Sequence, residues 1–167
     1  MEFKDIEQRA EEILELSGKR TIPVPVEEIA KHFNLRVGKG PSNDFSGLLL
    51  RKNGAALIGV NDTETPQRQR FTIAHELGHF FLHPSKEAFV DYRNSNIPRT
   101  PKEREADVFA AALLMPRKEI SRDFKKVTNG VAFDEESFKG VVTSLAKKYD
   151  VSDEAMRIRL MTLGTVV

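Results

Sequence analysis

The segment between Pro66 and Pro84 limits the fold of this chain most strongly, because its apolar residues recur with the period of an α-helix. The helix has to end by His83, since helical geometry is disfavoured for a residue that precedes a proline. At about 100° per residue, a group of apolar side chains lies opposite His75: Ile73, Leu77, Phe80 and Phe81. We therefore expect an amphipathic helix that packs its apolar face on a core and turns its ionisable face to a cleft.

That ionisable face carries the pattern H-E-x-x-H, formed by His75, Glu76 and His79. Histidines at this spacing lie about 40° apart around the helix and one turn along it, so both imidazoles can reach one metal ion. A glutamate beside that ion can take a proton from water and pass it to a leaving amine. The pattern predicts a zinc peptidase with His75 and His79 as ligands and Glu76 as catalytic base. It also fits two surface histidines on an amphipathic helix.

A catalytic zinc site needs a third protein ligand and an open position for water. His83 is excluded by distance, because it lies about 12 Å from His75 along the helix axis. Two acids further along the chain, Glu103 and Asp107, share one stripe of a second predicted helix with apolar residues. Acids in such a stripe indicate that a positive group faces them. We expect Glu103 to be the third ligand and Asp107 to orient a ligand histidine by accepting its free ring N–H.

Several assignments at this site stay open on the sequence alone. Glu105 is the main alternative to Glu103 as third ligand, although its side chain points about 200° away around the helix and is more easily placed in solvent. Glu103 and Asp107 could also be surface acids paired with neighbouring basic residues. No residue is clearly placed to stabilise an oxyanion, and His83 and Tyr92 are the candidates for contact with the substrate or its oxyanion.

Composition narrows the class of protein. The 167 residues include no cysteine, so disulfides and thiolate metal sites are excluded and histidine and carboxylate must hold any ion. The net charge of +1 does not indicate binding to nucleic acid, which needs a clustered basic surface. The first residues are acidic and amphipathic rather than signal-like, and no run approaches about 18 apolar residues. We expect a cytoplasmic protein without a membrane span.

The rest of the chain predicts helices around one small sheet. Asn53-Gly54 separates two apolar runs and indicates a β-hairpin over residues 46–60, whereas residues 86–101 are predicted to form a loop. Helical signals recur in several other segments: 6–16, 26–33, 101–115, 138–149 and 152–163. The expected class is α+β, with helices around a small antiparallel sheet. We expect a single domain over residues 1–167, with a core up to about residue 117 and a helical, helix-turn-helix-like extension over about 118–167.

The predicted extension ends in a helix, a tight turn and a helix, and Ser152 is placed to cap the second of these helices. A role in DNA binding would use Arg157 and Arg159 of that helix. Acidic residues at the turn, where the helix would meet phosphates, oppose this role. We therefore favour packing, or docking of a repressor, over contact with DNA.

Residues 68–83 and 103–116 resemble the active-site helix and the second motif of the ImmA/IrrE metallopeptidases, although asparagine is commoner in that family where this chain has Asp107. Shorter similar segments extend the resemblance over most of the chain: 24–30, 46–47, 59–61 and 145–164. The resemblance implies a zincin-like endopeptidase of the gluzincin type, with two histidines and one glutamate on the metal. The implied cofactor is Zn²⁺, with another divalent ion such as Mn²⁺ as the alternative.

The resemblance also implies a protein substrate. Characterised members of the family look like regulators that cut a helix-turn-helix repressor and thereby release phage, mobile-element or stress genes. Their substrate is similar to an extra strand added at the sheet edge near the metal, which here would belong to the 46–60 hairpin. We expect a repressor as partner and neither nucleic acid nor membrane, and the sequence does not predict the oligomeric state.

Two functions of other classes stay open. One is a non-proteolytic regulator that binds a repressor or DNA and has a vestigial or structural metal site. The other is an antitoxin-like partner in a two-protein module. The intact Glu76 argues against both, since a purely structural metal has no need for a base beside it.

Overall fold

The computed structural model describes residues 1–93, 96, 98–129 and 134–164. They form an α+β fold of helices around one sheet, which confirms the expected class. The helices are α1 (Phe3–Ser17), α2 (Val26–His32), α3 (Pro66–Leu82), α4 (Pro101–Leu114), α5 (Arg117–Thr128), α6 (Glu135–Tyr149) and α7 (Asp153–Thr162). The strands are β1 (Leu35–Gly40), β2 (Phe45–Lys52), β3 (Ala55–Asn61) and β4 (Ala88–Tyr92).

The sheet contains the predicted hairpin, with β2 and β3 antiparallel and Lys52 opposite Ala55. Asn53 and Gly54 form its turn with φ values of 51° and 76°, a left-handed geometry that an Asn-Gly pair adopts readily. The strand order is β1-β3-β2-β4, so β3 lies between β1 and β2. β1 pairs with β3 in the parallel direction, so the expectation of an antiparallel sheet is wrong for this pair.

The fourth strand corrects the prediction of a loop over residues 86–101. β4 pairs antiparallel with β2 and forms one edge of the sheet. Its inward-facing side chains are Phe89 and Asp91, and the acid interrupts the apolar alternation that would have indicated a strand. Other parts of the predicted regions lie outside the described residues: positions 94, 95 and 97 of the loop, and positions 130–133 and 165–167 of the C-terminal extension.

Helices α3 and α4 pack closely against each other and bring the two motif segments together. Thr65 and Thr100 cap their N-termini through side-chain oxygens that accept backbone N–H groups. A Cβ atom on Gly78 would lie 3.0 Å from the Cα of Ala106, so glycine permits this approach without displacing either backbone. The apolar face of α3 is inward as expected, with Leu77 fully buried.

The C-terminal helices pack on the same core as α1 and α4, through buried side chains such as Met156 and Leu160. Ser152 caps α7 as expected, by accepting the N–H of Ala155. Arg159 is buried, donates to the backbone oxygen of Met115 at 3.0 Å and forms an ion pair with a carboxylate of α1. It is therefore held in the interior and is not presented to DNA. No helix in the described part of the chain is long and apolar enough to cross a membrane.

Candidate metal centre

The crossing of α3 and α4 brings His75, His79 and Glu103 together in the interior. The Nε2 atoms of the two histidines lie 3.1 Å apart. The carboxylate oxygens of Glu103 lie 3.0 Å from Nε2 of His75 and 3.2 Å from Nε2 of His79. All three ligand atoms lie within 4.8 Å of one another. This convergence is the arrangement expected from the sequence for a three-ligand metal site.

The chemistry of these donors fits a divalent cation. Asp107 accepts from Nδ1 of His75 at 2.9 Å, so Nε2 is the nitrogen that faces the centre and whose lone pair an ion would take up. Glu103 supplies oxygen from the opposite helix, and two imidazoles with one carboxylate form a donor set that zinc accepts in catalytic sites. The predicted roles of these residues thus have a consistent geometry, with Asp107 behind His75 as expected.

Glu76 follows His75 on α3, interacts electrostatically with His75 and Glu103, and is fully buried. Neither of its carboxylate oxygens has a hydrogen-bond partner among the described residues. Burial raises the pKa of Glu76 to about 8, against the opposing effect of His75. A carboxyl group in this range is suited to gaining and losing a proton in a reaction.

Gly47 in β2 makes room for this carboxylate. A Cβ atom at position 47 would lie 3.1 Å from Oε1 of Glu76 and 2.3 Å from Cγ2 of Thr72. A side chain at this position would therefore push α3 away from the sheet. The glycine lets the strand approach the helix where the pocket is formed.

The electrostatics of the centre favour a positive charge between the two helices. Burial alone would lower the pKa of His75, but the carboxylates of Asp107 and Glu103 outweigh it and raise the pKa to about 10. Burial would raise the pKa of Glu103, yet its hydrogen bonds with His75 and His79 hold it well below its usual range. Burial lowers the pKa of His79. A divalent cation would satisfy the same carboxylates that stabilise the imidazolium.

A hollow of about 870 Å³ opens beside Glu103, between β4 and the N-terminus of α4. Tyr92 lies at its rim with 54% of its surface exposed, so this candidate can reach a substrate. The strand next to the hollow is β4, whereas β2 and β3 both have a neighbouring strand on each side. The expectation that the 46–60 hairpin offers the sheet edge near the site is therefore wrong.

His83 and Glu105 are placed differently from the other candidates. His83 is the buried C-cap of α3, and its ring contacts His79 on one side and Glu105 on the other. Both ring nitrogens are thus engaged within the protein. Glu105 accepts from Nε2 of His83 at 2.7 Å and does not belong to the ligand cluster. Glu105 is thus half-buried rather than free in solvent as expected, because it pairs with His83 and with the N-terminal amine of Met1.

Two arginines of the site were not identified from the sequence. Nη1 of Arg99 lies 3.5 Å from Glu103 and 3.4 Å from Asp107, at the mouth of the centre. Arg51 donates from β2 to the backbone oxygens of Phe80 at 2.7 Å and His79 at 3.2 Å. It therefore caps the C-terminal end of α3. The i,i+4 spacing of Arg99 and Glu103 was a usable signal, whereas nothing local marks Arg51.

Comparisons with known proteins agree with this fold and centre. The family model of the IrrE N-terminal-like domain, a family of peptidases, matches residues 30–161. Metallopeptidase ImmA of Bacillus subtilis (strain 168) is 28% identical over 118 residues, which are 71% of this chain and 68% of that protein. In structure the chain is similar to a Mycobacterium tuberculosis transcriptional regulator, with a TM-score of 0.66, at 16% identity over 94% of this chain and 46% of that one. The chain thus spans less than half of that solved structure.

The matched family is one of metallopeptidases that hold a divalent metal, and the cluster of two histidines and a glutamate could hold such an ion. The chain belongs to the ImmA/IrrE family, because the family model covers most of its length.

Proposed function

We propose that this protein is a zinc-dependent endopeptidase that cuts a helix-turn-helix repressor at one site and so derepresses phage, mobile-element or stress genes. The observation that carries the proposal is the carboxylate of Glu76, which is buried beside three convergent ligand atoms without a hydrogen-bond partner among the described residues. A structural metal site has no use for such a group. Peptide hydrolysis needs a base at this position.

In this proposal each residue of the centre has one role. His75, His79 and Glu103 hold the ion, for which Zn²⁺ is the first candidate and Mn²⁺ the second. When bound, such an ion supplies Lewis-acid chemistry, since it polarises the scissile carbonyl and lowers the pKa of water. Asp107 keeps the Nε2 lone pair of His75 directed at the centre. Glu76 takes the proton of the attacking water and delivers it to the leaving nitrogen.

The substrate is proposed to add to β4 as an extra strand. β4 lies at the edge of the sheet, and its last residues, Val90, Asp91 and Tyr92, line the hollow that opens beside Glu103. An extended peptide can pair with such an edge through main-chain hydrogen bonds, which orient it without requiring a particular sequence. Tyr92 at the rim is the candidate for contact with the side chains of the substrate, and these contacts would select the cleavage site.

The repressor substrate is supported by the family rather than by the pocket. One relative is named a metallopeptidase, and the similar solved structure is a transcriptional regulator. A repressor acts on DNA in the cytoplasm, and we propose the same compartment for this protein. The burial of Arg159 disfavours the DNA-binding alternative, because it removes one of the two arginines on which that alternative depends.

The test is to incubate the zinc-loaded protein with the helix-turn-helix protein encoded beside it, and to identify the products by mass spectrometry. We expect one discrete cut that disappears on chelation and returns with Zn²⁺. Glu76→Gln should slow this cut by about 10²–10⁴-fold, because it removes the base but leaves the three ligands.

Glu15→Gln is a matched control, since it makes the same chemical change at an exposed glutamate on α1 and should leave the cut unchanged. Cleavage at the full rate by Glu76→Gln would overturn the mechanism. Tight capture of the repressor without any cut would favour the antitoxin-like alternative.

A further inference from the structure

A chain of hydrogen bonds runs through the interior behind His79, on the side away from the ligand cluster. Nδ1 of His79 lies 3.0 Å from Nδ1 of His83. Nε2 of His83 in turn lies 2.7 Å from a carboxylate oxygen of Glu105. The metal centre as described above uses neither His83 nor Glu105, and the chain connects both of them to a ligand.

For two neutral rings, counting hydrogens along this chain gives one tautomer for each ring. The carboxylate of Glu105 can only accept, so Nε2 of His83 carries a hydrogen. A neutral imidazole has one N–H, and Nδ1 of His83 is therefore an acceptor. The hydrogen shared by the two rings then belongs to Nδ1 of His79. The lone pair of His79 is consequently on Nε2, the atom that faces Glu103 and His75.

The surrounding contacts fix the orientation of both rings as well. The ring of His79 stacks on Phe89, with the centroids 3.8 Å apart and the planes 14° from parallel. The backbone N–H of His83 donates to the oxygen of His79, and Arg51 donates to the oxygen of His83 at 3.2 Å. His83 is itself buried. The last turn of α3 therefore has little freedom to present another nitrogen.

We propose that His83 and Glu105 are positioning residues that hold His79 in the tautomer and orientation required for metal binding. This inference rests on the proposed role of His79 as a ligand. The two ligand histidines are then oriented differently. Asp107 contacts His75 directly, whereas Glu105 acts on His79 through the imidazole of His83. Supports of this kind strengthen metal binding because they remove the alternative ring states.

The test is the zinc affinity of the full-length protein, measured by competition with a chromophoric chelator. His83→Ala and Glu105→Ala should each weaken zinc binding by about 10–100-fold. Glu105→Gln keeps an oxygen that can accept from Nε2 of His83, and it should retain most of the affinity. His32→Ala is the matched control, because it removes an exposed histidine on α2 and should change nothing.

A structural role alone would not change the ring chemistry, so a second measurement is needed. In zinc-loaded protein, ¹⁵N–¹H correlation spectra of the histidine rings should show a hydrogen on Nδ1 of His79. In His83→Ala this Nδ1–H signal should broaden or disappear, because its acceptor is gone. Unchanged zinc affinity and an unchanged His79 ring signal in His83→Ala would overturn the proposal.

His75→Ala separates this failure from failure of the metal site. If His75→Ala weakens zinc binding but His83→Ala does not, only the positioning role is wrong. If neither variant affects zinc binding, the proposed metal centre is wrong as well, and the positioning role fails with it.

Discussion

The α3–α4 centre and the C-terminal helices both bury ionisable side chains, but only the C-terminal helices pair each of those described below with a partner. In the C-terminal region, Asp123 accepts from the hydroxyl of Tyr149 at 2.8 Å and pairs with Lys148 at 2.7 Å. Arg159 is likewise matched by the carboxylate of Glu7. Each of these buried charges is met by an opposite charge or a hydrogen bond, and the contacts join separate helices.

In the α3–α4 centre, not every buried ionisable side chain has such a partner. Glu76 is buried with no hydrogen bond to either oxygen among the described residues, while the Nε2 atoms of His75 and His79 lie 3.1 Å apart. Such an arrangement costs stability. Buried ionisable side chains that are paired stabilise the fold. A cluster of buried ionisable side chains without partners indicates a functional site, such as one that binds an ion or a substrate.

The largest effect is expected where a matched pair is broken. Arg159→Ala removes the buried partner of Glu7, whose remaining contact with Arg117 is longer at 3.7 Å, and should lower the free energy of unfolding by about 3 kcal/mol. Urea denaturation followed by circular dichroism measures this change. Arg157→Ala removes an exposed arginine two positions away and should stay within about 0.5 kcal/mol of the wild type. Equal effects of the two variants would show that the ion pair between Arg159 and Glu7 does not stabilise the fold.

The next largest effect is expected at Gly78, where α3 and α4 cross. Gly78→Ala places a Cβ atom 3.0 Å from the backbone of Ala106, and overpacking of this kind costs about 1–3 kcal/mol. Because the ligands come from both helices, zinc affinity should fall as well. Gly140→Ala is the control, since a Cβ atom there meets nothing within 4 Å and should stabilise α6. Unchanged zinc affinity in Gly78→Ala would contradict the close helix crossing.

A smaller effect, with a defined pH dependence, is expected at Asp123. Burial would raise the pKa of Asp123, but Lys148, Tyr149 and Arg122 outweigh it and lower the pKa below its ordinary value of 3.8. The ionised group therefore stabilises the fold above that value and loses this contribution as the pH falls through the lower folded pKa. Asp123→Asn should cost about 1–2 kcal/mol at pH 7. Unfolding curves at pH 7 and pH 3 should show that this difference shrinks in acid; a constant difference would contradict the assignment.

The centre could be predicted to a large extent because its main residues lie on two helices. Helical geometry fixes where His75, Glu76 and His79 point relative to one another, and Glu103 and Asp107 stand in one stripe for the same reason. Their convergence between α3 and α4 agrees with that expectation. These positions could be predicted because helical periodicity is a local property of the sequence.

The remaining parts depend on contacts between distant segments and could not be predicted. β4 was missed because Asp91 takes an inward position that an apolar residue normally fills. The sheet was expected to be antiparallel, but β3 lies between β1 and β2, and no local signal encodes that order. The pairing of His83 with Glu105 requires the helix crossing that Gly78 permits, so it becomes visible only in three dimensions.

The central claim is that Glu76 is kept buried and unpartnered for catalysis at the expense of stability. The most direct test is the free energy of unfolding of zinc-free Glu76→Gln relative to zinc-free wild type, measured by urea denaturation. Burial raises the pKa of Glu76 to about 8, so at pH 7 the wild type loses stability because this group must be protonated in the folded state. The variant avoids this loss and should be more stable than the wild type by about 1 kcal/mol. A loss of stability, like that expected for Asp123→Asn, would show that Glu76 is a structural residue and would contradict the account.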